Sequence, residues 1–383
     1  MTQSVLLAVT GSVAAFKTPF LVRLLKKNGY KVTCVVTKSA EQFVTPFLLE
    51  NLSEERCYVE SDFWQDKNIH IALCKEHDML VICPASGNSI AKCAQGIADN
   101  LVSTICLAFE GPKVIVPAMH KEMINQASVD HNIGLCKQLG YFVVGPTAGH
   151  LLSGDSGFGR MVEPEVLVAL IPAFMLKPLF LEGRHVLVTA GGTTESIDPV
   201  RCISNRSSGQ MGQMVACLAT LYGASVMLIT SNLVEDNGID SVLLAKSSAQ
   251  FNAAMHNSLD KVDTLVMAAA ISDFVPDYSE TKLKRTDQDM LLSLKPTQDI
   301  LQSVTAKKSL RKTIGFCLLD KLTDTQTPIQ KCIQKKCDYM FANTANNLAN
   351  ATRDYHVYNQ QTCVDKLMGQ DVLTVAYRLL ALI

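Results

Sequence analysis

The chain has 383 residues, 48% apolar and 19% charged, which excludes a disordered, collagen-like or low-complexity polymer. Its 35 basic and 36 acidic residues leave a formal charge of −1 with no long run of one sign, which excludes a general nucleic-acid binder. At 41.8 kDa the chain exceeds what one hydrophobic core organises, so two domains are expected. The apolar stretch Val5 to Phe16 follows no basic residue and is broken by glycine and serine, unlike a signal peptide. Val166 to Leu176 is 11 residues long and contains Pro172, short of the roughly 20 that span a bilayer. Thirteen cysteines without a CxxC pair suggest neither a disulfide framework nor a zinc site. A cytoplasmic protein with no membrane partner is expected.

In chain order, short apolar runs bounded by glycine or aspartate predict strands near 4–9, 31–37, 78–83, 112–117 and 141–144. The segment Pro164 to Gly183, with three prolines, reads as a helix leading into a linker. Further strands are predicted near 185–190, 224–230, 263–269, 312–317 and 337–342. Three patterns recur at offsets of about 181 to 194 residues, too long for a solenoid repeat. Val5-Leu6-Leu7-Ala8-Val9-Thr10-Gly11 matches Val186-Leu187-Val188-Thr189-Ala190-Gly191-Gly192, Gly29-Tyr30-Lys31-Val32 matches Gly223-Ala224-Ser225-Val226, and Asp78-Met79-Leu80-Val81 matches Asp263-Thr264-Leu265-Val266. Apolar strands alternating with helix-length segments indicate parallel sheets joined by right-handed crossovers. The expected fold is α/β, with two doubly wound Rossmann-like domains, mainly parallel, over 1–180 and 181–383.

Ligands of such sheets settle where glycine turns at strand ends expose backbone N–H groups beside a helix N-terminus. Gly11-Ser12-Val13-Ala14 lies at such a place without the full G-x-G-x-x-G fingerprint, and Thr37-Lys38-Ser39-Ala40 and Cys83-Pro84-Ala85-Ser86-Gly87-Asn88 end the next two strands. Three such loops in register predict a mononucleotide pocket. Pro117-Ala118-Met119-His120 ends a fourth strand, and the glycine-dense Leu152 to Met161, with Arg160, suits a flap over an anionic substrate. His70, between Ile69 and Ile71, reads as a core histidine or, in a cleft, as a base.

Together these residues carry a resemblance. Gly11 to Lys17, His70, Pro84 to Asn88 with Gly96-Ile97-Ala98-Asp99-Asn100-Leu101, Pro117-Ala118-Met119 and Gly157-Phe158-Gly159-Arg160-Met161 resemble the flavin-binding cysteine decarboxylases. The second half resembles the phosphopantothenate:cysteine ligases in Thr189 to Glu195, Ile197 to Arg201, Ile203 to Gly209, Ala268 to Phe274 and Lys282-Leu283-Lys284-Arg285. The whole chain thus resembles the fused enzymes of coenzyme A synthesis.

For the first half the resemblance implies oxidative decarboxylation on FMN. It implies flavin contacts at Gly11, Ser12, Val13, Ser39, Ser86, Asn88 and Ser103, His70 as the base, Met119 and His120 on the substrate carboxylate, and a flap through Ser153 and Arg160. For the second half it implies activation of 4'-phosphopantothenate by CTP as acyl-CMP, with Mg2+ and release of pyrophosphate, and then displacement of CMP by cysteine. Asn205 would act on the acyl-nucleotide, and Gly191, Gly192, Ala269, Asp273, Lys282, Lys284 and Arg285 would hold the nucleotide, with Lys282 also catalytic. Family members build trimers of flavin domains and dimers of ligase domains, combined into a dodecamer, so a homo-oligomer is implied.

Three positions depart from the family pattern. His120 stands where asparagine is usual and makes the carboxylate contact pH-dependent. Ser153 replaces a proton-donating cysteine, whose ordinary pKa of about 8.5 lies well below that of a hydroxyl. Leu319 falls where a glutamate is typical, with Asp320 one residue on. These departures motivate an alternative, a flavin-binding scaffold or regulatory protein with one or both activities lost.

Overall fold

A computed structural model describes residues 3–65, 68–150, 156–176, 179–232, 239–284, 290–308, 310–348 and 352–383. The chain forms two compact units, one over Met1–Pro178 and the other over Leu179–Val234 and Ile239–Ile383.

The first unit is built on strands β1 (Ser4–Val9), β2 (Lys31–Val36), β3 (Cys57–Tyr58), β4 (Met79–Ala85), β5 (Lys113–Pro117) and β6 (Tyr141–Val143). They pair in the order β3-β2-β1-β4-β5-β6, every pair parallel. All six residues of β1 and all seven of β4 are buried, as expected of strands covered on both faces. The chain steps outward from β1 to β3 and then returns to β4 beside β1, so connections diverge there at a topological switch point. The crossover helices carry narrow apolar stripes. Helix Thr18–Lys27 buries Leu21, Val22 and Leu25, starts on Pro19 and ends on Lys26 and Lys27, in keeping with the helix dipole. A short antiparallel hairpin, β7 (Thr147–His150) with β8 (Ser156–Arg160), follows the sheet.

The second unit repeats the plan with β9 (His185–Ala190), then a hairpin of β10 (Thr194–Ser196) and β11 (Cys202–Ser204), then β12 (Ser225–Thr230), β13 (Ser241–Leu244) and β14 (Thr264–Met267). After these come β15 (Phe274–Pro276) paired with β16 (Leu294–Pro296), β17 (Lys312–Leu319), β18 (Tyr339–Thr344), β19 (Arg353–Tyr358) and β20 (Cys363–Gln370). The large sheet has the order β13-β12-β9-β14-β17-β18-β19-β20. It is parallel through β18, then antiparallel at β19 and β20. Both units are therefore α/β with mainly parallel sheets, and the ten strands predicted from apolar runs all form. The remaining strands escaped that reading for physical reasons. β3 has two residues, β13 is mostly exposed, and β20 carries no continuous apolar run and buries only Leu367 fully.

Close approach of helix and strand shapes the active edge of the second unit. Helix Gln210–Leu221 begins after Gly209, whose φ of 75° is left-handed. A Cβ at Gly212 would lie 2.6 Å from the carbonyl oxygen of Thr189 and 2.7 Å from the Cβ of Ala190, so only glycine lets this helix lie on β9. Among the described residues no helix is long and apolar enough to cross a membrane, and all thirteen cysteines are free thiols.

The β10–β11 hairpin is tied to the segment through Leu283 by one buried carboxylate. Asp198 Oδ1 accepts the N–H groups of Val200 and Arg201, both at 2.8 Å, and Oδ2 accepts the Arg201 guanidinium at 2.9 Å and the N–H of Leu283 at 3.1 Å. Burial opposes ionisation of Asp198, but the three N–H donors and the Arg201 charge outweigh it and hold the carboxyl below the usual range. A depressed folded-state pKa contributes stability above the unfolded value that is lost as pH falls through the folded one. Asp198→Asn should therefore lower the melting temperature by a constant amount above about pH 4, and the gap from wild type should close at lower pH. A gap that does not vary with pH would show that the carboxylate charge is not what holds the segment.

Candidate functional site

In the first unit the site grows from buried Thr10, the residue after β1. Its hydroxyl donates to the Pro84 carbonyl at 2.8 Å and accepts the Ser86 N–H at 2.9 Å, locking the ends of β1 and β4 together. The next residue, Gly11, has no room for a side chain, since its Cβ would lie 2.5 Å from that of Ser39. The turns after β1 and β2 therefore meet. Ser12 caps the 3-10 helix Val13–Lys17 and donates its hydroxyl to the Ala118 carbonyl at 3.1 Å, reaching the turn after β5. Ser86 caps helix Gly87–Gln95, a contribution of about 1 kcal/mol, and Asn88 is exposed in its first turn. Gly11, Ser12, Val13, Ser39, Ser86 and Asn88 thus share one sheet edge, with Val13 and Phe16 as exposed apolar neighbours.

Ser103 has a different role. It is buried as the third residue of helix Leu101–Ala108 in a capping box with Asn100, and its hydroxyl accepts the N–H groups of Asp99 and Asn100. That hydroxyl helps shape the Gly96–Leu101 turn.

His70 lies in the first turn of helix Ile69–Glu76, which runs back to the start of β4, so the imidazole sits at the carboxyl end of the sheet. Its ring meets Phe63 edge-on at 5.7 Å, and its buried Nδ1 has no hydrogen-bond partner. Buried polar atoms are rarely orphaned without a functional reason. Met119 donates its N–H to the Gly159 carbonyl at 3.0 Å and packs against Gly87, so the turn after β5 touches both β8 and the Ser86 helix. His120 begins helix Lys121–Ile124, and its Nδ1 pairs with Glu122. Arg160 is not free to take a substrate alone, because its guanidinium pairs with Glu163, which also binds buried Lys17. Burial pushes the Cys83 thiol far above its ordinary pKa, with Lys17 opposing only in part, so Cys83 is no thiolate. Ser153 lies outside the described residues.

In the second unit two buried threonines, Thr189 and Thr193, repeat the work of Thr10. Thr189 Oγ1 accepts the Ala269 N–H at 3.1 Å and Thr193 Oγ1 accepts the Ser272 N–H at 2.9 Å. Gly191, with φ of 88°, packs its α-carbon against Ser231 where a Cβ would collide, and a Cβ at Gly192 would lie 2.7 Å from the Asn205 carbonyl oxygen. The same unit holds a cavity of about 690 Å³, ample for a nucleotide or a similar ligand. Asn205, Ala269 and Asp273 line it, and Asn205 Nδ2 donates to the Ala270 carbonyl at 3.1 Å. Gly191 and Gly192 are not among the residues that line it.

Lys282 and Lys284 do not line this cavity. They are exposed on the segment held by Asp198, and Arg285 lies outside the described residues. The cations that do line it are Arg206, Lys331, Lys335 and Arg353, beside Phe316 and Asn343. Sequence reasoning missed them because they come from three separate segments. The i,i+4 pair Lys331 and Lys335 at a helix end is indistinguishable in sequence from a solvated face. Leu319 is buried in the core and Leu318 faces the cavity, so a carboxylate at position 319 would have to enter the apolar interior. Among the described residues no group of three or more His, Cys, Asp and Glu side chains could hold a metal ion.

Comparison with known proteins places both units. Residues 1–176 match the family model described as Flavoprotein, and residues 181–383 match that of the DNA/pantothenate metabolism flavoprotein C-terminal domain. The chain is 36% identical over 321 residues to the Coenzyme A biosynthesis bifunctional protein CoaBC of Bacillus subtilis (strain 168), covering 82% of this chain and 79% of that protein. It is 35% identical over 309 residues to a Cysteine/Cysteine sulfinic acid decarboxylase from an unknown prokaryotic organism, covering 78% and 85%. A solved PPC decarboxylase mutant complexed with pantothenoylaminoethenethiol aligns with TM-score 0.43 and 33% identity, over 45% of this chain and 98% of that one. The chain belongs to the family of bifunctional coenzyme A biosynthesis enzymes, which join a flavoprotein decarboxylase to a ligase.

Proposed function

We propose that residues 181–383 ligate cysteine to 4'-phosphopantothenate through acyl-CMP, consuming CTP, and that residues 1–180 decarboxylate the resulting 4'-phosphopantothenoylcysteine to 4'-phosphopantetheine on FMN. The observation that carries this reading is the orphaned imidazole of His70 at the same sheet edge as three hydroxyl-bearing strand-end turns. The residues there fit FMN. Helix N-termini and the hydroxyls of Ser12, Ser39 and Ser86 suit a phosphate, exposed Val13 and Phe16 suit an aromatic ring, and the Nδ1 of His70 lacks a partner.

Bound FMN supplies a reversible two-electron store beside the substrate's sulfur-bearing carbon, which lets the carboxyl group leave without stranding a carbanion. The chain's own residues do the rest. His70 takes a proton from the bound substrate at its imidazole. Met119 and His120 hold the carboxylate, with Glu122 fixing the imidazole of His120. Arg160 and Ser153 belong to the segment that covers the substrate and excludes water.

In the ligase half, Asn205 is positioned through Ala270 to contact the acyl-nucleotide. The cations Arg206, Lys331, Lys335 and Arg353 offset the phosphate charge. Lys282 and Lys284 are assigned to add to that field from the exposed segment beside Asp198, and the same role is assigned to Arg285, which lies outside the described residues. Mg2+ is assigned to the nucleotide phosphates, its usual partners. The enzyme is assigned to the cytoplasm, as its thirteen free thiols suit. It is also assigned a homo-oligomeric state with trimeric flavin units and dimeric ligase units, up to a dodecamer. Exposed Phe16, Phe20 and Phe47 in the first unit and Val200, Phe274 and Leu294 in the second support that reading.

The relative named as a cysteine and cysteine sulfinic acid decarboxylase, together with Ser153 and His120, favours a second reading in which the first unit takes free cysteine. Purified protein supplied separately with 4'-phosphopantothenoylcysteine and with cysteine decides between them by CO2 release and product mass. The first substrate should turn over preferentially, and failure with it would refute the leading reading. His70→Asn should keep the flavin absorption bands and lose CO2 release by about 10²-fold or more, and retained release would assign the base elsewhere. Asn205→Asp should let acyl-CMP accumulate from CTP and 4'-phosphopantothenate in the absence of fast amide formation, whereas unchanged amide formation would remove Asn205 from the reaction.

A further inference from the structure

One carboxylate oxygen connects the turn after β1 with the hairpin β7–β8. Lys17 ends the 3-10 helix that follows Gly11 and Ser12. Its side chain is only 11% exposed, and Nζ donates to Glu163 Oε1 at 2.9 Å and to the Met161 carbonyl at 3.4 Å. The same Oε1 accepts Nη2 of Arg160, so two cations share it. Arg160 is the last residue of β8, and Met161 follows it with its Sδ 3.7 Å from the Cys83 sulfur on β4. On the other side of β8, a Cβ at Gly159 would collide with the Met119 carbonyl oxygen. The root of β8 is thereby wedged among the ends of β1, β4 and β5.

A buried ammonium group is costly without its counter-charge. Glu163 therefore cannot shift without drawing Lys17 along, and Lys17 carries the helical turn of Ser12, Val13 and Ala14. We propose that Glu163 is a positioning residue that couples flavin occupancy of the Gly11–Ser12 turn to order in the root of β8, through the oxygen shared by Lys17 and Arg160. This rests on the reading of that turn as the FMN site. Coupling between two sites is reciprocal: whatever factor FMN contributes to order in β8, loosening β8 removes from FMN affinity. Arg160, assigned to the substrate, is thus aligned from the cofactor side, which places substrate binding after flavin loading.

The test uses the full chain stripped of flavin. FMN binding is followed by quenching of flavin fluorescence, and amide hydrogen exchange at Gly157–Met161 is measured with and without FMN. In wild type, FMN should slow exchange at these amides. Glu163→Gln should bind FMN about tenfold more weakly, with exchange at Gly157–Met161 no longer responding to FMN. Lys17→Arg, which keeps a cation on Glu163, should retain the response. Glu165→Gln, an equal change of charge two residues on at an exposed position, should match wild type. Wild type that binds FMN with no change at Gly157–Met161 overturns the proposal alone and needs no variant to fold. A Glu163→Gln protein that keeps the response overturns it as well. Wild type that binds no FMN refutes the reading of the site, and the proposal falls with it.

Discussion

Parallel strand pairing is the constraint on which the rest of this protein depends. Every strand of the first sheet, and seven of the eight in the second, enters from the same side, so each strand-to-helix turn and each orphaned helix N-terminus falls on a common edge. That edge carries unpaired N–H groups and positive dipole ends whatever side chains it bears. Anionic ligands are favoured there before any catalytic residue is in place, and both halves have their candidate sites at it.

Holding two neighbouring turns at bonding distance along that edge requires a small buried polar group, and both halves use threonine. Thr10 joins the ends of β1 and β4, and Thr189 joins those of β9 and β14, each accepting an N–H from the loop opposite. Hydroxyls suit the place because they donate and accept within a single small volume. Glycine does the complementary work where a side chain would keep backbones apart, at Gly11 against Ser39 and at Gly212 against Thr189. The duplicated pattern of apolar run, threonine and glycine is thus a repeated mechanical joint.

Charge is arranged differently in the two halves. In the first, the cations Lys17 and Arg160 are neutralised internally by Glu163, and the imidazole of His120 pairs with Glu122. In the second, Arg206, Lys331, Lys335 and Arg353 converge on one cavity. Of these, Lys335 is paired with Asp299 at 2.9 Å and Arg353 with Gln210 at 2.8 Å, and Asp273 lines the same cavity, so four cations meet two carboxylates there.

The sequence by itself determined the parallel cores and the position of their ligand edges, because apolar runs buried on both faces leave a continuous signal and glycine turns mark where each strand stops. It also sufficed to pick out Gly11, Ser12, Ser86, His70 and Asn205 as residues near that edge. Only the tertiary structure decided the partners of those residues. Ser103 spends its hydroxyl on a helix cap, Arg160 shares an oxygen with Lys17 from 143 positions earlier in the chain, and the cations of the second cavity come from three distant segments while Lys282 and Lys284 stay outside it. The physical reason is range. Periodicity and turn chemistry act over a few residues, whereas ion pairing and cavity lining depend on which distant segments the sheet order sets side by side.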